Sequence, residues 1–289
     1  MKVTGFSFVR NAIKYDYPIV EAIQSILPIC DNFILAVGNS DDDTLQLVKS
    51  IDPSKIKIIE TTWDDSLREG GRVLAVETDK AFAAIPIESD WAFYIQGDEV
   101  VHEKYLDTIY KQMERWKDDP NVDGLLFKYK HFYGSYDYVG LSSQWYSHEI
   151  RVVRNNKNIY SYRDAQGFRK GTNEKLQVKP IDAYIYHYGW VKSPKSMQKK
   201  LENFHKLWHS DEWIKNNLAK SEEFDYSGID ALIPFKETHP KVMIDRINKR
   251  NWKFNFDISH NKLSLKHKFK KLAETYLGIK IGYKNYRIV

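Results

Sequence analysis

The sequence predicts an α/β fold: a Rossmann-like, mainly parallel central sheet flanked by helices, followed by a basic C-terminal helical extension. Three observations predict it. Short apolar runs alternate with amphipathic segments over the first hundred residues. The run Trp91-Ala92-Phe93-Tyr94-Ile95 is followed closely by two adjacent acids, Asp98 and Glu99. Positive charge is concentrated at the C-terminal end: residues 241–289 hold 13 Lys/Arg against 3 Asp/Glu, and residues 1–240 hold 31 against 36.

The elements follow in order. Val3 to Val9 alternates toward an apolar strand and ends at Arg10-Asn11. Tyr17 to Leu27 carries Ile19, Val20, Ile23, Ile26 and Leu27 at helical spacing, with Pro18 in the first turn. Asn32 to Val37 is a second strand, and Gly38-Asn39-Ser40-Asp41-Asp42-Asp43 is a turn whose acids can cap the next helix. That helix offers Leu45, Leu47, Val48 and Ile51 as contacts and ends at Pro53. Lys55 to Glu60 is a third strand, Arg72 to Ala84 a third helix and Trp91 to Ile95 a fourth strand. Strands alternating with helices imply parallel pairing through right-handed crossovers.

The second part is less regular. Tyr105 to Trp116 reads as an amphipathic helix; Gly124 to Tyr133, Glu149 to Val153 and Ala183 to Tyr188 read as strands. Pro194 to Trp208 reads as a helix with Met197, Leu201, Phe204 and Trp208 on one face. No Pro/Gly/Ser-rich linker divides this stretch, so the expected organisation is one catalytic domain over 1–240 and a basic extension over 241–289. Within the extension, Leu263 to Leu277 reads as an amphipathic helix bearing Lys266, Lys268, Lys270 and Lys271.

The 289 residues are 42% hydrophobic and 14% aromatic, enough for a substantial core and unlike a disordered chain. The single cysteine, Cys30, excludes an intramolecular disulfide and a cysteine-based zinc cluster. It lies among Ile26, Leu27 and Ile29 and reads as a small buried residue. No apolar run reaches the roughly 20 residues that span a bilayer, and the N-terminus lacks signal-peptide character. The expectation is a soluble, cytoplasmic protein.

The chemistry centres on Asp98. A buried strand cannot hold charge, so both acids belong at its carboxyl end, where open α/β sheets bind ligands. Adjacent side chains on an extended segment point to opposite sides, so Asp98 and Glu99 are not equivalent. Asp98 is the candidate ligand for a hard divalent cation; Glu99 turns toward the sheet or binds a ligand hydroxyl. His187 follows the apolar run Ala183 to Tyr186 and is either a metal ligand or a hydrogen-bonded structural residue. Arg68, Gly70, Gly71 and Arg72 precede a helix and could hold phosphate through backbone N–H groups and arginine; the glycines equally fit a plain turn.

Several of these features, in order, resemble glycosyltransferase family 2, in its GT-A fold, and particularly lipopolysaccharide- or capsule-type bacterial members, over about residues 3 to 215. The residues that carry the resemblance are Arg10-Asn11 after the first strand, Gly38-Asn39-Ser40-Asp41-Asp42-Asp43-Thr44 after the second, Gln96-Gly97-Asp98-Glu99 after the fourth, and His187-Tyr188-Gly189-Trp190 downstream. Gln96 stands where that family's metal motif has its first aspartate, and its carbonyl oxygen can ligate without charge. The resemblance implies a nucleotide-sugar donor held by Arg10, Asn11, Val37, Asn39, Gln96 and Gly97; Gly71 and Arg72 are candidates for its phosphates from their helix-start position alone. It implies Mn²⁺ or Mg²⁺ on Asp98 with His187 and Gln96. It also implies an inverting reaction with a carboxylate base, Asp164 first and Glu149 next, Glu174 being a third acid in the interval. The implied acceptor is a glycan or a lipid-linked sugar.

The basic extension fits either an anionic membrane surface, as a peripheral contact at the inner face, or a helix packed on the body with its lysines solvated. Two other enzyme or binding classes compete. A nucleotidyltransferase would want a Gly-rich phosphate loop and a lysine after the first strand, and Phe6 to Asn11 has neither. A non-catalytic sugar-binding relative fits the substitution at Gln96. No nucleic-acid motif is present and the body is net acidic, so a nucleic-acid partner is not expected.

Overall fold

The computed structural model describes residues 1–142, 144–217, 221–262 and 284–289. Its first half alternates as expected: β1 Val3–Val9, α1 Ile19–Ile26, β2 Asn32–Gly38, α2 Thr44–Lys49, β3 Ile56–Thr61, α3 Arg72–Ala83 and β4 Trp91–Tyr94. β1 lies between β2 and β4, and β3 flanks β2, all parallel. Alternate residues of these strands feed opposite faces. Phe33, Leu35, Trp91 and Phe93 pack with Ile19, Ile23 and Ile26 of α1. Phe6, Ile34, Ala92 and Tyr94 pack with Ala81 and Phe82 of α3. Burial on both faces is why β1, β2 and β4 read as nearly continuous apolar runs, whereas β3 at the edge is half-exposed.

The second half is mixed. A short strand β5 Glu99–Val101 precedes α4 Leu106–Trp116. β6 Gly124–Tyr133, β7 Tyr138–Gly140 and β8 His148–Arg154 follow, with β8 inserted antiparallel between β4 and β6. β9 Ile159–Tyr162, β10 Gly167–Lys170 and β11 Glu174–Lys175 form a small separate sheet. β12 Gln177–Trp190 runs parallel to β6 and antiparallel to β5. It is longer than the expected Ala183–Tyr188, because a register shift between Pro180 and Tyr184 lets the strand continue past the proline. α5 Pro194–Lys206, α6 Asp211–Asn217, β13 Leu232–Pro234 and α7 Ile244–Asn248 complete the body. The small strands and α6 and α7 are too short for a periodic signal.

The beginning of segment 241–289 lies against the body. Met243 is fully buried beside Phe132 and Tyr188. Arg246 pairs with Asp16 at 2.5 Å and Glu21 at 2.8 Å. At the other end, β14 Arg287–Ile288 adds to β12 through Gln177 and Val178. The amphipathic helix expected over 263–277, with its four lysines, lies outside the described residues. Among those described, no helix is long and apolar enough to cross a membrane.

Candidate active site

The chain turns sharply after β4. Glu99 N–H donates to the Gln96 carbonyl at 3.0 Å, which sends the strand into β5 and separates the two acids. Glu99 points inward and is fully buried against Arg151, also fully buried. Arg151 donates Nε to Oε2 and Nη2 to Oε1, both at 2.7 Å, and the Tyr129 hydroxyl donates to Oε1 at 2.7 Å. The Gln96 backbone N–H also reaches Oε2, at 3.2 Å. Every strong acceptor direction of this carboxylate is met, as a buried ion pair requires. Glu99 therefore anchors the loop that carries Asp98.

Asp98 points the other way, toward β12. The β5–β12 pairing sets Glu99 opposite His187, and Tyr188 N–H donates to the Asp98 carbonyl at 2.8 Å. This brings Asp98 Oδ1 to 3.7 Å from His187 Nε2. Asp98 Oδ2 accepts from Lys200 Nζ of α5 at 3.1 Å, and the same ammonium donates to the Gly189 carbonyl at 2.8 Å. Burial by itself would raise the Asp98 carboxyl; the positive groups around it, the Lys200 ammonium first among them, outweigh it and hold the group well below the usual carboxylate range. A Cβ on Gly189 would lie 2.6 Å from His187 Nε2 and 2.8 Å from Asp98 Oδ2, so only glycine leaves this corner open.

The hydrogen bonds around His187 fix its tautomer. Burial pushes the His131 imidazole down to about 3, with the adjacent His187 acting in the same direction, so His131 is neutral. Its Nε2 faces the Tyr146 carbonyl at 2.8 Å and must carry the proton, because a carbonyl only accepts. His131 Nδ1 is then an acceptor, and His187 Nδ1, 2.9 Å away, donates to it. Burial also lowers His187, against the pull of Asp98, so its Nε2 presents a lone pair to the carboxylate. The imidazole Nε2 and the carboxylate Oδ1 face each other across 3.7 Å. A carboxylate and an imidazole are donor types that would hold a divalent ion such as Mn²⁺ there. The donor set and the opening at Gly189 fit a metal with two protein ligands, its remaining positions being left to water and phosphate oxygen. Among the described residues no group of three or more His, Cys, Asp or Glu is assembled for a metal. Gln96 uses its amide nitrogen on the Ala165 carbonyl at 3.1 Å and the Tyr94 hydroxyl at 3.4 Å, tying the end of β4 to the turn that bears Asp164.

Asp98, His187 and Lys200 open onto a cavity of about 620 Å³, within the range of small-molecule sites. Arg10, Asn11, Gln96, Gly97 and Asp164 also line it. Asn11 sits at φ 55° and ties two strand ends together, accepting Asp41 N–H at 2.8 Å and donating its own N–H to Ser40 Oγ at 3.0 Å. Arg10 donates to the Asn39 carbonyl at 3.0 Å and to Asp65 at 2.6 Å, and its guanidinium lies 5.4 Å from the Trp63 ring centre. Asp164 lies in the turn between β9 and β10, flanked by Arg163 at φ 57° and Ala165 at φ 64°. Non-glycine residues in that region are costly and concentrate at functional sites. Burial raises the Asp164 carboxyl above the ordinary value.

Other expected site residues fall elsewhere. Glu149 is buried inside the sheet on β8, away from the cavity lining; the alternation of that strand turns it inward. Burial pushes its carboxyl up to about 7. Glu174 is exposed on β11. Val37 faces the core beneath α1 and not the cavity. Asn39 is exposed and supports Trp63, whose N–H it accepts at 3.1 Å. Arg72 is exposed outside the cavity lining, and Gly71, at φ 70°, makes room for Asp164: a Cβ there would lie 2.9 Å from the Asp164 Cβ. Sequence reasoning missed Trp63, Tyr17 and Lys200, all of which line the cavity. Lys200 had a signal: it falls three residues after Met197 and four before Phe204, on the apolar row of α5.

No family model matches the chain, and no curated protein matches it. Solved structures similar to it include S. aureus TarS, with TM-score 0.41 and 16% identity over 71% of this chain and 39% of that one. The TarS 1–349 structure in complex with UDP-GlcNAc gives TM-score 0.40 and 15% identity over 71% of this chain and 65% of that one. The glucosyl-3-phosphoglycerate synthase of Mycobacterium tuberculosis, in complex with Mn²⁺, UDP and phosphoglyceric acid, gives TM-score 0.29 and 19% identity over 46% and 43%. The chain thus spans less than two thirds of the length of these structures. Over part of its length, the chain is similar to these GT-A glycosyltransferases.

Proposed function

We propose that the protein is a glycosyltransferase that moves a sugar from a nucleotide-sugar donor to a hydroxyl of a glycan or lipid-linked acceptor, with inversion. The observation that carries this reading is the convergence of Asp98, His187 and Asp164 on one cavity at the carboxyl end of β4. Asp98 and His187 are the residues to hold Mn²⁺ or Mg²⁺, and such an ion would supply charge stabilisation to the diphosphate leaving group. Arg10 and Asn11 bind and orient the donor beside Trp63. Asp164, raised by burial, accepts the proton of the acceptor hydroxyl. The hydroxyl oxygen forms the new bond at the anomeric carbon as the bond to the diphosphate oxygen breaks. The electron pair leaves with the nucleoside diphosphate. The basic segment 241–289 adds a peripheral membrane contact to this reading, which would keep the enzyme near a lipid-linked acceptor.

The test is a release assay across UDP-, GDP-, dTDP- and CMP-sugars with Mn²⁺. Release of the donor's nucleotide from one of them, abolished by Asp98→Ala, is the expected result. Release of pyrophosphate from a nucleoside triphosphate and a sugar phosphate, with no reaction of any sugar nucleotide, would indicate nucleotidyl transfer instead. Saturable donor binding with no turnover would indicate a non-catalytic sugar-nucleotide binder.

A further inference from the structure

Lys200 is not accounted for by a metal at Asp98. An ammonium group 3.1 Å from the principal carboxylate ligand repels a divalent ion brought to the same carboxylate. Packing does not explain it either, since its place on the apolar row of α5 would suit a leucine or methionine. Both Lys200 and Asp98 are only slightly exposed, at 13% and 14%, so solvent screens their charges weakly. Two of the three ammonium N–H groups are used, one on Asp98 Oδ2 and one on the Gly189 carbonyl. The third is left for a ligand oxygen in the cavity that Lys200 lines. The Tyr17 ring lies 5.2 Å from the ammonium and fixes its side. Beneath the same ring is Lys192, fully buried and donating to the Asp16 carbonyl. Lys200 touches the aspartate directly, and its ammonium, with a donor to spare, makes the corner favour an anion over a lone cation.

We propose that Lys200 is a cationic arm of the diphosphate site, sharing Asp98 with the metal, so that the donor's diphosphate binds measurably on Lys200 without the ion and more tightly with it, while the ion alone is opposed by the ammonium. This rests on the donor-site reading above. The diphosphate supplies the negative charge that lets ion and ammonium occupy neighbouring positions; without it, Lys200 holds the carboxylate and opposes the ion. Removing the ammonium should therefore shift two affinities in opposite directions. Loss of structure would weaken both.

The experiment is calorimetry on the full chain with UDP, GDP, dTDP and CDP in excess EDTA, with MnCl₂ alone, and with each nucleotide plus MnCl₂. In the wild-type protein, one nucleotide binds measurably in EDTA and more tightly with Mn²⁺. In Lys200→Met, nucleotide binding in EDTA weakens by roughly 10-fold or more, the scale of a lost charged hydrogen bond, while Mn²⁺ alone binds more tightly. Lys200→Arg retains most nucleotide binding, and Lys199→Met, an exposed neighbour, changes neither affinity. Wild-type binding that appears only with Mn²⁺ overturns the proposal, as does a Lys200→Met protein whose two affinities fall together or stay fixed. If Lys200→Met does not fold, Lys200→Gln carries the same opposed expectation, and the wild-type EDTA measurement stands independently. Absence of binding by any nucleotide, with or without Mn²⁺, refutes the donor-site reading itself.

Discussion

Glu149 gives the sharpest quantitative expectation. Its carboxyl is buried in the sheet and pushed up from 4.5 to about 7 by desolvation, which the nearby Arg151 and a hydrogen bond from Asn285 only partly offset. The folded state therefore holds this proton more tightly than the unfolded chain. Stability from the protonated group is fully present below pH 4.5 and is lost as pH rises toward about 7. At about 1.4 kcal/mol per pH unit, the ionised form costs the native state roughly 3 kcal/mol at alkaline pH. Glu149→Gln keeps the shape of the neutral acid and cannot ionise. Wild type and variant should match near pH 4 and diverge steadily above it, the variant being more stable by up to about 3 kcal/mol near pH 8. In thermal melts that difference is on the order of 6 °C for a chain of this size. The assay is a series of melts and urea titrations of both proteins across that range. Parallel stability curves, or a variant less stable than wild type near pH 8, would refute the reasoning. Transfer activity should survive, because Glu149 does not line the cavity.

Four further outcomes follow from the geometry. Asp164→Asn should lower kcat by roughly 10²- to 10⁴-fold, the scale of general-base catalysis, with donor affinity by calorimetry changed little; an unaltered kcat would remove Asp164 as the base. Glu99→Gln should destabilise the protein by roughly 3–5 kcal/mol by leaving the Arg151 charge buried without its partner, and pairing it with Arg151→Met should recover part of the loss; a difference under about 1 kcal/mol in denaturant titration would contradict the anchoring role. Gly189→Ala forces a Cβ into the Asp98–His187 corner and should weaken Mn²⁺ binding with nucleotide by roughly 10- to 100-fold, as disturbed support of metal ligands does; calorimetry checks it, and unchanged affinity would count against that corner as the metal site. Replacing Lys266, Lys268, Lys270 and Lys271 with Gln should reduce flotation with anionic vesicles, by about 1 kcal/mol per lysine near the surface, and equal flotation would end the membrane reading.

Element type was legible wherever apolar periodicity ran long enough. β1 to β4 and α1 to α5 all stand close to the expected residues, because sheet burial on both faces and one-sided helix packing write themselves into composition. The Asp98-Glu99 pair was legible as two unequal acids, although a turn from Gln96 to Glu99, and not an extended strand, separates them. What Glu99 faces was not, since its partners Arg151 and Tyr129 come from strands 52 and 30 residues away. The inward turn of Glu149 was also hidden, since Glu149 and Arg151 alternate with Ile150 and Val152 as on a solvent-facing side, yet both are buried.

The sequence by itself determined the α/β order of elements, the strand end that carries Asp98, and the acids and histidine that could do chemistry there. Those follow from local rules: period, charge at strand ends, turn residues. Only the tertiary structure decided which of them meet. The β5–β12 pairing sets His187 against Asp98, the His131 contact turns its lone pair toward the carboxylate, and α5 delivers Lys200 to the same oxygen pair. Those contacts span 89 to 102 residues of chain between Asp98 and its partners. They arise from packing between distant elements, which no local pattern in a single sequence encodes.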